Sequence, residues 1–383
     1  MIPYGSQWID SKDINSVIKA LKSPFLTTGP LIDKFEEEFA NFVGAKYAVA
    51  VSNGTVALHI AVQSLGINAG NEGITSSNTF VASPNSLIYN NIKPVLADIN
   101  PLTYNIDPDE IKKKVNKKTK ILIPVHFAGQ PAEMDKIRKI VDINKLYVIE
   151  DAAHALGSRY KNGKMVGSCC YSDMTTFSFH PVKTITTGEG GMITTNNRKL
   201  YARLRLLRSH GIEKQRRFLS IYPGPWYYEM QQLGYNYRLT DMQAALGLSQ
   251  LARINQFIKI RRGIVDFYNK NFGNISWLKI PFEEKNGFSV FHLYVIWIDF
   301  KRIRKTRRVV MEYLGKNGIG TQVHYIPVHF QPYYRINYGF KKGDFPRCEK
   351  YYKGCLSLPL YPKMTGKDVE KVILCIKKLS DEK

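Results

Sequence analysis

Lys183 lies in the run Thr176-Phe177-Ser178-Phe179-His180-Pro181-Val182-Lys183-Thr184-Ile185-Thr186-Thr187-Gly188-Glu189-Gly190-Gly191. A lysine set among Ser, Thr and Gly, directly after an apolar strand, is poorly explained as a solvated surface charge. It suits an amine held in a cleft, able to form a Schiff base with an aldehyde. Ser178, just upstream, adds a hydroxyl. Gly188, Gly190 and Gly191 permit unusual backbone dihedrals beside a bound group. The glycines fit neither a Walker loop nor a dinucleotide fingerprint.

Two further strand ends carry chemistry. Val49-Ala50-Val51-Ser52-Asn53-Gly54-Thr55 runs into the apolar helical stretch Val56–Ser64. Gly54-Thr55 either simply makes the turn, or offers N–H groups, a hydroxyl and a positive helix end to a phosphate. Asp151 closes the apolar strand in Tyr147-Val148-Ile149-Glu150-Asp151-Ala152-Ala153-His154. A carboxylate there either caps a helix or partners a cationic ring nitrogen. Phosphate donors, a strand-end Asp and a loop Lys together match the needs of pyridoxal phosphate (PLP). The lysine takes the aldehyde, and the Asp keeps the pyridine nitrogen protonated so that the ring acts as an electron sink.

Such groups need strand ends to present them. Apolar strand candidates are Ala48–Ser52, Ile74–Ser76, Pro94–Ile99, Lys120–Val125, Leu146–Glu150, Met174–Phe179 and Gly191–Thr195. Helical patterns alternate with them, as in Asp33–Val43, where Phe35, Phe39 and Phe42 share a face and Gly44 is the stop. The pattern predicts an α/β fold: a mostly parallel seven-stranded sheet with helices on both faces and a ligand at its carboxyl edge. Thr240 and Gln243 fit a capping box opening a long helix, with Met242, Ala245, Leu246 and Leu251 on its apolar face. Residues 1–250 then form a large domain with an amino-terminal arm over 1–30. Residues 251–383 form a smaller α+β domain, with short strands such as His292–Ile298 and Gln322–Tyr325.

Bulk properties narrow the classes further. The chain has 383 residues, 44% of them hydrophobic, enough for two or three core-forming units and too apolar for a largely disordered chain. No apolar run approaches the roughly 18 residues that span a bilayer. Residues 1–20 carry Asp10, Lys12, Asp13 and Lys19 without an apolar core, which argues against a secretory signal and for a cytoplasmic protein. Lys and Arg number 55 against 32 Asp and Glu, a net +23. The densest cluster, Lys301 to Arg308, reads as the solvated first turns of a helix. No basic stripe with interleaved aromatics tracks a nucleic acid. Cys169, Cys170, Cys348, Cys355 and Cys375 form no Cys-x-x-Cys pair and read as free thiols. No metal site is expected, since His324 and His329 are badly spaced for two ligands on one helix face.

From Pro3-Tyr4-Gly5 to about residue 378 the chain resembles the DegT/DnrJ/EryC1/StrS family of PLP-dependent sugar-nucleotide aminotransferases, of fold type I. The lysine motif is very specific for that family. Phe25 to Pro30, Pro124 to Pro131, Tyr227 to Gln231 and Leu233 to Asp241 most resemble its pseudaminic acid pathway members. Those convert a UDP-linked 4-keto-6-deoxy-N-acetyl sugar and L-glutamate to UDP-4-amino-4,6-dideoxy-N-acetyl-β-L-altrosamine and 2-oxoglutarate.

The resemblance implies roles by position. Lys183 is the Schiff-base lysine and proton carrier, Asp151 pairs with the pyridine nitrogen, and His154 lies near the ring. Gly54, Thr55 and Ser178 hold the phosphate, and Phe80 stacks on the ring. Asn236 reaches the phosphate of the other subunit's cofactor, implying a homodimer with shared sites. Tyr4, Leu26, Thr27, His324 and Tyr325 line the substrate site. One departure, Asn71-Glu72-Gly73 in place of the usual Gly-Asp-Glu order, touches no catalytic role. Relatives that act as dehydratases replace the lysine with histidine, and Lys183 argues against that reaction. A regulatory nucleic-acid binder, suggested by the charge, would need a DNA- or RNA-binding module that the sequence does not show.

Overall fold

Each of the seven apolar runs is a strand of one sheet in the computed structural model, which describes residues 1–380. They are β1 (Tyr47–Val51), β2 (Glu72–Ser76), β3 (Lys93–Ala97), β4 (Thr119–Ile123), β5 (Tyr147–Asp151), β6 (Met174–Ser178) and β7 (Gly191–Thr195). Their order is β1-β7-β6-β5-β4-β2-β3. The pairs from β6 through β5, β4 and β2 to β3 are parallel. Only β7 is reversed, antiparallel to both β6 and β1. All the other strands therefore end at one edge of the sheet.

Side chains alternate between the faces. Val49, Val51, Ile121, Ile149 and Ile193 pack with Ile60 and Leu204 on one side. Ala48, Ala50, Leu122, Val148 and Phe177 pack with Phe35 and Phe39 on the other. Burying each such phenylalanine favours folding by about 1.5–3 kcal/mol. Phe39 meets Phe177 at 5.1 Å and Phe179 at 5.6 Å, so the helix Pro30–Val43 is seated on the strand that precedes Lys183. Gly44, in the left-handed region at φ 78°, ends that helix as expected.

The free edge of β1 is closed by side chains. Ala50 N–H donates to Glu36 Oε1 at 2.8 Å, Arg208 Nη1 donates to Ala50 O at 2.9 Å, and Arg208 also pairs with Glu36. Both charged groups are buried. Satisfying the edge in this way removes the strand as a pairing template.

The carboxyl-terminal part differs from expectation in detail. A small ribbon, β8 (Ile212–Glu213) with β9 (Glu229–Met230), precedes it. The capping box at Thr240 and Gln243 is present, but the long helix is two, Asp241–Leu251 and Ile254–Phe272. At the break, Arg253 turns to pair with Asp10 and Asp13 and so ties down the amino-terminal arm. A second sheet runs β10 (Leu278–Lys279), β11 (Tyr294–Ile298), β12 (Cys355–Leu358). Its third strand is thus Cys355–Leu358 and not Gln322–Tyr325, which makes one isolated bridge, Gln322 with Ser357. The basic cluster only partly enters its helix. Lys301–Arg304 form a turn, and the helix starts at Arg307 behind the N-cap Thr306. Among the described residues no helix is long and apolar enough to cross a membrane.

Candidate active site

The common carboxyl edge opens into a cleft of about 1090 Å³. It is lined by Tyr4, Gly54, Thr55, Phe80, Asp151, His154, Ser178, Lys183, His324 and Tyr325, all singled out from the sequence. Leu26, Thr27 and Asn236 do not line it. They sit on the exposed surface, where Thr27 bridges to Thr240, and Asn236 to Ser209.

The chain direction explains the gathering. β1 delivers Asn53, whose side chain caps the helix Gly54–Ser64 by accepting from Val56 N–H at 3.0 Å. The first-turn N–H groups at Gly54 and Thr55 have no partner within a helix. β6 ends at Ser178 beside them, so close that a Cβ on Gly54 would stand 2.8 Å from Ser178 Cβ. Only glycine leaves that space open. Two backbone donors, two hydroxyls and a helix N-terminus then form a cup suited to a phosphate. The loop from β6 to β7 carries Lys183 over the same edge, folded by Lys183 N–H to His180 O at 2.8 Å and Thr186 Oγ1 to Phe179 O at 2.9 Å.

The glycines of this loop act mainly by size. Gly188 alone has a positive φ, 79°. At Gly190 a Cβ would strike Thr187 Oγ1, and at Gly191 it would stand 2.5 Å from Asn53 O. The expected dihedral freedom therefore holds for one of the three, and close packing accounts for the others.

Asp151 ends β5 and faces the cleft, accepting from Ser83 Oγ at 2.6 Å and from Ala153 N–H at 3.1 Å. Those bonds fix the carboxylate at the cleft. His154 Nδ1 accepts from Ala128 N–H at 3.3 Å, and its Nε2 lies 3.1 Å from the Tyr325 hydroxyl. His292 packs against it, ring centroids 4.5 Å apart. Tyr4 lies 5.4 Å from His324, and Phe80 lies 6.0 Å from Tyr325. Phe80 is 58% exposed, so it is a wall of the cleft and no core residue.

The electrostatics suit amine chemistry. Burial lowers the Lys183 ammonium to about 8, although the Asp151 carboxylate works in the opposite direction. Burial, helped by Lys183, also lowers His324 to about 4 and holds His154 and His292 well below the usual imidazole range. Burial pushes the Tyr325 phenol up. Near neutrality the imidazoles are uncharged, and a useful fraction of Lys183 is free amine. Amine, carboxylate and phosphate cup share one cleft, and these residues fit PLP.

Sequence reasoning passed over Asn53, Ser83 and His292. Asn53 carried a signal, an Asn directly before a Gly at a strand–helix junction. Ser83 and His292 carried none, because their partners Asp151 and His154 are remote in sequence.

Comparison with known proteins points to the same fold and chemistry. The profile of the DegT/DnrJ/EryC1/StrS aminotransferase family matches residues 7–377. The spore coat polysaccharide biosynthesis protein SpsC of Bacillus subtilis is 43% identical over 98% of this chain and 96% of its own length. The UDP-4-amino-4,6-dideoxy-N-acetyl-beta-L-altrosamine transaminase of Campylobacter jejuni is 38% identical over 97% and 96%. Among solved structures, Helicobacter pylori PseC, an aminotransferase of pseudaminic acid biosynthesis, superposes with TM-score 0.92 at 30% identity, covering 99% of both chains. The PLP-form of the sugar aminotransferase Spr1654 from Streptococcus pneumoniae does so with TM-score 0.91 at 28% identity, covering 99% of this chain and 98% of its own.

The depressed amine gives a direct test. Acetic anhydride reacts only with unprotonated lysine, so acetylation of Lys183 in the cofactor-free protein, followed by peptide mapping, should rise through pH about 8. A midpoint at the ordinary lysine value of about 10.4 would show that the cleft does not desolvate this amine.

Proposed function

The chain belongs to the DegT/DnrJ/EryC1/StrS aminotransferase family, and within it we propose that it aminates a UDP-linked 4-keto-6-deoxy-N-acetyl sugar. L-glutamate is the amino donor, and the products are UDP-4-amino-4,6-dideoxy-N-acetyl-β-L-altrosamine and 2-oxoglutarate, a step toward pseudaminic acid. The observation that carries the aminotransferase chemistry is Lys183, lowered to about 8 in the cleft it shares with Asp151, Gly54, Thr55 and Ser178. The sugar is supported by the resemblance to the Campylobacter transaminase and to PseC. SpsC, at 43% identity, favours a second reading, a different nucleotide-linked keto sugar of the same family.

PLP, the cofactor of this chemistry, supplies an electron sink that stabilises negative charge at the carbon losing a proton. The protein's part is division of labour. Gly54 and Thr55 N–H groups with the Thr55 and Ser178 hydroxyls would hold the phosphate. Asp151, held by Ser83 and Ala153, would keep the ring nitrogen protonated. Phe80, a wall of the cleft, would cover one face of the ring. Lys183 Nζ is the amine that would hold the cofactor's aldehyde, and as a free amine it is placed to carry a proton between two carbons. His154 Nδ1 already accepts from Ala128 N–H, so its Nε2 carries the ring proton and donates to Tyr325. The aldehyde site thereby keeps neutral neighbours that do not compete with Lys183 for the proton.

A nucleotide sugar is too large for the cofactor end of the cleft alone. Tyr4, His324 and Tyr325 are its contacts in the same chain, Leu26 and Thr27 come from a second one, and Asn236 of that second chain reaches the cofactor phosphate. Exposed Phe25, Leu26, Trp226, Met230 and Leu233, each 47–72% accessible, support a homodimer whose contact covers this surface. The net +23 attracts the anionic substrate at long range and is screened beyond about 8 Å at physiological salt.

Purified protein with PLP and glutamate should turn over the UDP-linked 4-keto-6-deoxy-N-acetyl sugar with the highest kcat/KM in a panel of UDP- and dTDP-linked keto sugars. Preference for a dTDP-sugar or a 3-keto sugar would replace the substrate while keeping the reaction class. The shared site is tested by mixing Asn236→Ala with Lys183→Ala chains. In the heterodimer both defects fall in one composite site and the other is intact, so activity should exceed that of the two parents together. No recovery in verified heterodimers contradicts the assignment of Asn236.

A further inference from the structure

Glu150 is the residue before Asp151, and strand alternation turns it to the opposite face of the sheet. It is completely buried, and among the described residues no lysine or arginine is paired to it. Its carboxylate accepts from His126 Nε2 at 2.7 Å, Tyr160 Oη at 2.5 Å, Ser172 Oγ at 2.5 Å and Thr175 Oγ1 at 3.3 Å. His126 Nδ1 in turn accepts from Ala132 N–H at 3.0 Å, so Nε2 holds the ring proton and must donate to Glu150. Burial acts to raise this carboxyl, yet the bonds from His126, Ser172 and Tyr160 bring it below its ordinary value. A buried anion without a cationic partner is costly unless every lone pair is met. Here the structure meets them all.

We propose that Glu150 is a positioning residue for the cofactor-facing groups, acting through His126 to fix the turn over residues 124–132. That turn touches both groups. Pro124 O accepts from Asp151 N–H at 2.9 Å, His126 N–H donates to Asp151 O at 3.0 Å, and Ala128 N–H donates to His154 Nδ1 at 3.3 Å. It is also a conformation that needs holding. Ala128 and Gly129 stand at φ 56° and 98°, in the left-handed region, and a residue with a side chain enters that region at a cost. Gly129 approaches the chain so closely that a Cβ would lie 3.0 Å from the His292 and Phe291 nitrogens. Asn105 accepts from Phe127 N–H at 2.7 Å, and Ser158 donates to Gly129 O at 2.6 Å, completing the hold. His126 is thus bonded to Glu150 by its ring and to Asp151 by its backbone. A displacement of the Glu150 carboxylate is transmitted to both cofactor-facing side chains.

This inference rests on the reading that Asp151 and His154 face PLP. The test uses the holoenzyme and the variant Glu150→Gln, which keeps the shape, removes the charge and forces a hydroxyl partner to reverse. Visible circular dichroism of the bound cofactor reports its orientation, and single-turnover reaction with glutamate reports the chemistry. Glu150→Gln should change the dichroic band and slow the half-reaction by on the order of ten- to a hundredfold, with KM for the sugar nucleotide unchanged. Tyr160→Phe and Ser172→Ala, each removing one donor, should move the same two readouts in the same direction by less, and they decide the matter if Glu150→Gln does not fold. Variants that melt at lower temperature yet keep the wild-type dichroic band and half-reaction rate overturn the proposal, leaving Glu150 a structural residue. Failure of the underlying reading looks different: wild-type protein that retains no PLP, or Asp151→Asn with wild-type turnover.

Discussion

The direction of the strands is the constraint on which the site depends. Because only β7 is reversed, the carboxyl ends of β1, β2, β4, β5 and β6 meet at one edge. A crevice at that edge is the expected ligand site of an open α/β sheet. The reversal of β7 is equally useful. It lets a short loop leave β6 and return beside it, so Lys183 is suspended over the edge and the chain is not carried off into a crossover helix. The phosphate cup needs β1 and β6 to end side by side, and the only strand between them is the reversed β7. Gly54 and Gly191 are the places where that proximity leaves no room for a side chain.

Charge is arranged by the same alternation. Asp151 faces the cleft and its neighbour Glu150 faces the core, so adjacent residues serve opposite sides of β5. The cleft buries Lys183 among imidazoles that burial also keeps neutral, and it is burial that lowers the amine toward physiological pH. The nearest anion, Asp151, limits that depression. The net basicity of the chain lies elsewhere: the run from Lys301 to Arg308 is a turn and a helix start, and its residues are absent from the cleft.

Much of this was legible in the residues. The strands of the large sheet are buried on both faces, and such strands read as continuous apolar runs. Lys183 stood out because a lysine in that setting is poorly explained as a surface charge, whereas Asp151 and Gly54-Thr55, ordinary at strand ends by themselves, gained meaning in combination with it. What escaped is non-local. Ser83 under Asp151, His292 against His154 and His126 with Glu150 are contacts between remote parts of the chain. β12 escaped because four residues between a helix and Pro359 carry too little pattern to mark a strand. The glycines after Lys183 were read as conformational when two of them are steric. Leu26, Thr27 and Asn236 lie on the exposed surface of this chain, away from the cleft, where Thr27 pairs with Thr240 and Asn236 with Ser209.

The central claim is that Lys183 is the amine that holds PLP. Borohydride reduction of the holoenzyme, followed by proteolysis and mass spectrometry, fixes the cofactor permanently to whichever lysine carries it. The account predicts a single pyridoxyl group on the peptide containing Lys183 and none elsewhere. A pyridoxyl group on another lysine, or none on a protein with full transaminase activity, would contradict it.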